Sequence, residues 1–147
     1  MGYSERHTSY ARRDDSASGV RAPKRSRRTL IGGFRFALEG LHHAFASQPN
    51  FRFHLVAASA VTLVGIWLDL PAGSWAILAL TVGCVLVTEL LNTAAETLVD
   101  LVSPEYHPLA KVVKDLMAGA VLVLAVASVL VGLAVLGPPL VARLGSP

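Results

Sequence analysis

After a polar N-terminal part, the chain consists of long apolar runs separated by short polar connections. With histidine counted as neutral, three runs have no charged residue: 53–68, 70–88 and 116–142. A helix that crosses the hydrocarbon core of a bilayer needs about 20 mostly apolar residues. The third run exceeds this length, the second reaches it with its polar end included, and the first reaches it with a helix that begins near Asn50. The pattern therefore predicts three membrane-spanning helices, at about 50–70, 74–102 and 109–137.

A fourth helix is predicted ahead of the first run. Apolar residues recur there at spacings of three and four, at Leu30, Phe34, Ala37, Leu38, Leu41 and Phe45. This spacing is typical of an amphipathic helix, whose other face is too polar to cross a membrane. We expect a surface helix at about 28–47 along the cytoplasmic interface, and Pro49 and Asn50 break it before the first span.

The composition agrees with a membrane protein. Hydrophobic residues make up 53% of the 147 positions and the mean hydropathy is +0.54, which disfavours a soluble domain of this length. The predicted organisation is a disordered basic tail at 1–27, a membrane domain at 28–142 and a short C-terminal tail at 143–147. Because the sequence shows no β pattern, the predicted fold class is an all-α membrane protein.

Positive charge is concentrated near the N-terminus. All but three of the thirteen Lys and Arg residues lie at or before Arg52. Lys111 and Lys114 fall between the second and third runs, whereas the connection at 69–74 has no basic residue. By the positive-inside bias, the N-terminus and the second connection lie in the cytoplasm and the C-terminus lies outside. The basic tail then fits contact with anionic lipids, and we expect no nucleic-acid partner.

Polar side chains interrupt the second run on one helix face. Glu89, Asn92, Glu96 and Asp100 fall within roughly 80° of one another when projected on a helix. A charged side chain at the bilayer centre costs about 2.5–3.5 kcal/mol even on lenient insertion scales. Asp100 and Glu96 at the interface, or Asn92 between helices, also have structural explanations. As a set on one face with graded depth, the four residues favour a functional site.

The start of the third spanning helix offers complementary charge. Lys111, Lys114 and Asp115 share a helix face, and small residues follow at 118–120. Carboxylates bind Mg²⁺, usually together with substrate phosphates, and lysine neutralises phosphoryl oxygens. A partly desolvated carboxylate can also accept a proton from a hydroxyl group. The two segments together indicate phosphoryl chemistry at a membrane interface.

Two other functions are consistent with the same residues. The stripe can hold helices together in a non-catalytic or altered membrane assembly, or it can relay ions through a bundle. Conduction is disfavoured because nothing ionisable lies in 116–142. The sequence has no Walker-type Gly-rich loop. Its isolated histidines, among them His54, are typical of hydrogen-bonding or interface positions and lack a zinc-binding spacing.

A known family resembles the chain at the polar stripe and beyond. The resemblance is carried by ELLNTAAETLVD, HPLAKVVKDLMAGAV, FRFALEGL and NFRFHL. These segments resemble the small bacterial lipid kinases of the prokaryotic diacylglycerol kinase and undecaprenol kinase family, over about 34–136. HPLAK and NFRFH lean toward the undecaprenol kinase branch, and SPEYH is similar to the diacylglycerol kinase branch.

The resemblance implies an activity, an assembly and roles for single residues. It implies a homotrimer in the bacterial plasma membrane that transfers the γ-phosphoryl group of ATP, with Mg²⁺ as cofactor, to undecaprenol or diacylglycerol. Glu89 corresponds to the general base, Asn92 supports it, and Glu96 holds the magnesium. The nucleotide would be bound by Phe36, Asp100, Glu105, Tyr106, His107, Lys114 and Asp115. Ala118 falls beside the lipid site.

Gln48 departs from the family pattern. It stands where the family has a glutamate that shares the metal with Glu96. A glutamine offers magnesium a carbonyl oxygen but no charge, so metal affinity should be weaker. The generic apolar residues that face the lipid tail do not decide between the two acceptors.

Overall fold

The computed structural model describes residues 30–145, which form four helices joined by short connections. The helices are α1 (Leu30–Ser47), α2 (Pro49–Trp67), α3 (Ala72–Val102) and α4 (Pro108–Leu144). No strand occurs in this part of the chain, and the predicted all-α class is confirmed. The tail predicted at 1–27 lies outside the described residues.

Three of these helices can cross a membrane. α2, α3 and α4 are each long and apolar enough to do so, which confirms the predicted membrane architecture. α1 is separated from α2 at Gln48, whose backbone is extended with φ −108° and ψ 110°. Pro49 opens α2, because the first turn of a helix does not need the N–H that proline lacks.

The connection between α2 and α3 forms a small core at one end of the bundle. α2 ends at Trp67 and α3 begins at Ala72, slightly before the predicted positions 70 and 74. Asp69 between them has a φ of 53°, in the left-handed region that Asp tolerates better than most residues. The buried side chains here are Leu68, Leu70 and Leu78. We call these three residues the loop-end core.

α4 is longer than the sequence predicted. It continues past the expected end at about 137, through Pro138 and Pro139. A proline inside a helix removes a backbone hydrogen bond, but membrane helices tolerate this when neighbouring groups hold the helix in place. Residues of α4 around the prolines pack against the loop-end core. Arg143 also lies over the ring of Trp67, 5.0 Å from its centroid.

The packing of the helices leaves much apolar surface open. α3 packs mostly against α4 and less against α2, and α1 packs on α2. No residue of α4 is fully buried, and large apolar side chains are exposed on every helix. Such surfaces are expected to face lipid or neighbouring subunits. The best-buried polar residues, by contrast, lie together on α3.

Candidate active site along α3

The polar stripe lies on one face of α3 and becomes more exposed toward the end of the helix. Glu89 is 1% exposed and Asn92 is 8% exposed. Glu96, one turn further, is half-buried, and Asp100 is exposed. Val85, one turn before Glu89, is buried on the same face. The stripe therefore leads from an accessible turn of α3 into the apolar interior of the bundle.

Hydrogen bonds orient the members of this stripe. Asn92 Nδ2 donates to Glu96 Oε1 at 3.0 Å. The hydroxyl of Thr93, which is also buried, donates to the backbone carbonyl of Glu89 at 3.0 Å. Because an amide donor fixes the direction of the carboxylate that it contacts, Glu96 is presented in a defined orientation.

Two oxygen atoms in the stripe are buried without a partner. Glu89 Oε2 and Asn92 Oδ1 accept no hydrogen bond from the residues that the structure describes. A buried polar group left unpaired costs about 1–3 kcal/mol, and a charged group costs more. Both atoms are acceptors when the carboxyl group is ionised. A hydroxyl group has one hydrogen to donate, so a ligand hydroxyl and a donor from a neighbouring helix would be needed to satisfy both. This turn of α3 is therefore a candidate contact for a ligand that carries a hydroxyl group.

An ion pair joins the stripe to the lysine-bearing start of α4. Lys114 Nζ lies 2.6 Å from Asp100 Oδ1. Lys111 pairs with Asp115 one turn along α4. Exposed pairs of this kind add little to stability. The contact between Asp100 and Lys114 matters because it brings the carboxylates of α3 and the ammonium groups of α4 into one place.

An open polar pocket of about 390 Å³ lies at this contact. It is lined by all of the predicted nucleotide residues except Phe36, namely Asp100, Glu105, Tyr106, His107, Lys114 and Asp115. Lys111 and Ala110 in the first turn of α4 also line it. A helix N-terminus and lysine side chains both favour anionic ligands. The pocket therefore offers two lysines and a helix N-terminus to a phosphate-bearing ligand, beside the carboxylates of Asp100, Glu105 and Asp115.

Local hydrogen bonds shape the connection that forms one wall of this pocket. His107 precedes α4, and its Nδ1 accepts a hydrogen bond from the backbone N–H of Leu109 at 3.2 Å. The hydroxyl of Ser103 donates to the backbone carbonyl of Glu105 at 3.1 Å. These short-range bonds cap the start of α4 and turn the chain after α3. The Tyr106 side chain between them is 80% exposed.

Three predicted site residues lie away from both the stripe and this pocket. Phe36 lines a separate apolar groove of about 720 Å³ between α1 and α3, which also includes Thr93. Gln48 is half-buried at the junction of α1 and α2, and its side chain does not cap α2. Ala118 is exposed on α4, outside the lining of the polar pocket. The roles predicted for these three residues stay predictions.

Comparison with known proteins identifies the family. Residues 35–136 match the prokaryotic diacylglycerol kinase family. The chain belongs to this family. The predicted resemblance is thus confirmed, and membership in the prokaryotic diacylglycerol kinase family supports a membrane lipid kinase.

Relatives within the prokaryotic diacylglycerol kinase family carry two names. The chain is 50% identical over 112 residues to a diacylglycerol kinase of Synechocystis, covering 76% of this chain and 64% of that relative. It is 43% identical over 107 residues to an undecaprenol kinase of Bacillus subtilis, covering 73% and 87%. It is 32% identical over 101 residues to a diacylglycerol kinase of Escherichia coli, covering 69% and 83%. The chain spans slightly less than two thirds of the Synechocystis relative.

The possible metal ligands of this protein suit a magnesium ion that enters the site together with a nucleotide. Among residues 30–145, no three His, Cys, Asp or Glu side chains are grouped so as to hold a metal alone. Mg²⁺ usually binds one or two carboxylates together with substrate phosphates. Glu96 is a half-buried carboxylate, oriented by Asn92 and one turn from the polar pocket. The residues present therefore fit magnesium bound with a nucleotide.

Two polar residues near the stripe, Thr93 and His54, are not among the site residues that the sequence predicted. Thr93 is 6% exposed. The sequence feature that could have identified it is its position directly after Asn92. His54 was interpreted as a hydrogen-bonding or interface histidine, and it lines a cavity beside α3. The sequence feature that could have identified His54 is its position as the one ionisable residue in the run 53–68.

Proposed function

We propose that this protein transfers the γ-phosphoryl group of MgATP to the hydroxyl group of a membrane lipid, undecaprenol or diacylglycerol. The observation that carries the proposal is the continuity of the stripe from buried Glu89 to Asp100, which contacts Lys114. One end of the stripe is surrounded by apolar side chains and the other borders a charged pocket. An apolar lipid that accepts the phosphoryl group and an anionic nucleotide that donates it need these two environments side by side.

In the proposed reaction, Glu89 accepts the proton of the lipid hydroxyl while that oxygen forms a bond to the γ-phosphorus. The bond from this phosphorus to the β–γ bridging oxygen breaks, and ADP leaves with the electron pair. Lys114 and Lys111 neutralise charge on the phosphates. Glu96, held by Asn92, would hold the magnesium that accompanies ATP. A positioned general base typically contributes about 10²–10⁴-fold to the rate.

The same proposal includes the location and the assembly. We place the protein in the bacterial cell membrane with its N-terminus in the cytoplasm and its C-terminus outside, on the distribution of Lys and Arg. We also propose a homotrimer with active sites between subunits. A neighbouring subunit can bring Phe36, Gln48 or Ala118 to a site that a single chain leaves without them.

A test of the proposed function uses the full chain in lipid nanodiscs with radiolabelled ATP and Mg²⁺. Undecaprenol and diacylglycerol are supplied in parallel, and Glu89→Gln is compared with wild type. We expect at least one lipid to be labelled, and Glu89→Gln to lower kcat by about 100-fold or more. Glu39→Gln is the matched control, since Glu39 is exposed on α1 and pairs with Arg35 at 3.3 Å.

The outcomes separate the competing functions. A wild-type protein that labels neither lipid rejects the kinase proposal. Equal turnover by wild type and Glu89→Gln rejects Glu89 as the base. Ion flux in liposomes without lipid phosphorylation would favour the conducting bundle.

A further inference from the structure

A cavity of about 80 Å³ lies among α2, α3 and α4. Its walls are mostly apolar, and only His54, Thr81 and Ser128 bring polar side chains to it. Thr81 and Ser128 each donate to a carbonyl of their own helix, of Ile77 and Ala125, at 2.8 Å. His54 is therefore the one wall residue whose polar side-chain atoms make no hydrogen bond within residues 30–145.

The position of His54 relates it to Glu89. Val85 and Leu86 form part of the cavity wall, and they precede Glu89 by four and three residues on the same helix face. Glu89 therefore occupies the next turn of α3 beside the cavity. His54 on α2 also interacts electrostatically with Glu89. The histidine and the buried carboxylate thus belong to one neighbourhood.

The other donors near Glu89 are already used or absent. Asn92 Nδ2 donates to Glu96, and Thr93 Oγ1 donates to a backbone carbonyl. α4 has no ionisable residue in 116–142. On α2 the only ionisable residues are Arg52, which is exposed and outside the cavity lining, and His54. On α1, His42 borders a separate pocket that shares only Leu86 with this cavity. His54 is therefore the remaining side chain of α2, α3 or α4 that can donate to Glu89 Oε2.

We propose that His54 is a positioning residue whose imidazole N–H holds one oxygen of Glu89, so that the other oxygen faces the acceptor hydroxyl. The cavity gives the imidazole room to adopt the orientation that this bond requires. The inference rests on the proposed function, because it assigns His54 to the base of that reaction. Without His54, the Glu89 carboxylate stays in place on α3, but its oxygens are no longer held in one orientation. Proton transfer from the lipid hydroxyl to Glu89 therefore slows.

The experiment compares His54→Leu and His54→Gln in the lipid-kinase assay. Leucine removes the donor, and we expect kcat to fall roughly 10- to 100-fold while KM for MgATP changes less than about twofold. Glutamine keeps an amide N–H, so His54→Gln should retain an intermediate kcat. The controls are Ser59→Leu and Ser59→Gln, which place the same two side chains at an exposed position of α2 outside the cavity lining, and both should keep wild-type turnover.

A second measurement asks whether His54 acts through Glu89. In a Glu89→Asp background the shorter carboxylate cannot use the histidine in the same way, so adding His54→Leu should lower kcat much less than it does alone. Equal fractional losses in both backgrounds would overturn the inference. Chemical cross-linking of the same samples reports whether each variant keeps the wild-type assembly.

The remaining outcomes are also decisive. Wild-type kcat in His54→Leu overturns this inference and leaves the proposed function intact. Equal losses in His54→Leu and His54→Gln, accompanied by a changed KM for MgATP or a lost assembly, show a structural role and overturn it as well. A wild-type protein without transfer to either lipid overturns both proposals.

Discussion

Gln48, at the junction of α1 and α2, is the uncharged residue that the proposed function would bring to a magnesium ion. Its amide oxygen can coordinate the metal but does not neutralise it. The side chain is half-buried and makes no capping hydrogen bond at the start of α2. A change to a carboxylate therefore removes no bond that the helix start uses. A substitution at Gln48 can thus test the proposed metal contact without loss of the fold.

Gln48→Glu is expected to lower the Mg²⁺ concentration needed for half-maximal lipid phosphorylation by about tenfold, because a second carboxylate joins Glu96 at the metal. The measurement is a Mg²⁺ titration of the initial rate at fixed ATP. Gln48→Asn, which keeps a neutral amide, should show no such gain. A Gln48→Glu variant with an unchanged or higher Mg²⁺ requirement would place this residue away from the metal.

At the scale of residues, the sequence predicts those features of the site that depend on the geometry of a single helix. Glu89, Asn92 and Glu96 share a face because the helical repeat places them there, and their graded burial follows from depth. The contact between Asp100 and Lys114 was not predictable, since residues 14 positions apart on different helices meet only through the packing of α3 on α4. The place of His54 in a cavity with Val85 and Leu86 was not predictable for the same reason, because these residues come from different helices.

At the scale of elements, Gly65 permits the close approach of α2 to the start of α3. It is buried, and a Cβ atom at this position would lie 2.9 Å from Trp75 Cη2 and 3.1 Å from Leu70 Cδ1. A contact below 3.0 Å requires one of these side chains to move. The loop-end core therefore depends on the absence of a side chain at Gly65.

Gly65→Val is expected to destabilise the protein by about 1–3 kcal/mol, because the added atoms overfill this contact. Thermal unfolding in detergent would show it as a lower Tm. Gly73→Val makes the same chemical change in the first turn of α3, where nothing lies within 4 Å of the added Cβ. Similar Tm values for the two variants would contradict the packing argument.

The helices themselves were predicted well where apolar runs and prolines define them. Apolar length predicted α2, α3 and α4, and Pro49 marked the break after α1. α4 extends beyond the predicted end of the third span at about 137. Its last two turns are kept by contacts with the loop-end core and with Trp67, and such tertiary contacts outweigh the local cost of Pro138 and Pro139.

At the scale of the whole molecule, a single chain leaves its longest helix largely uncovered. α4 has no fully buried residue, and small residues lie at 118–120 near its charged start. Small residues allow helices to approach closely in a membrane. This surface supports the proposal that subunits meet along α4, next to the polar pocket.

Cross-linking and native mass spectrometry should detect three subunits, and Glu96→Ala should leave this assembly intact while MgATP binding is lost. The reason is that Glu96 bonds to Asn92 of its own helix, so its removal breaks no bond between helices. Glu39→Ala, on exposed α1, should retain both properties. If Glu96→Ala mainly dissociates the subunits, the stripe serves assembly and the kinase proposal loses its metal ligand.

The length of α4 has a consequence for how product leaves. Its 37 residues extend about 55 Å, well beyond a hydrocarbon layer of about 30 Å. With the start of the apolar run 116–142 at the edge of this layer, Lys114 lies two residues, about 3 Å, outside it, at the level of the headgroups. A newly phosphorylated lipid would then emerge with its charged end already level with the headgroups. Its hydration shell could re-form at once, and its tail would remain among the acyl chains from which it came.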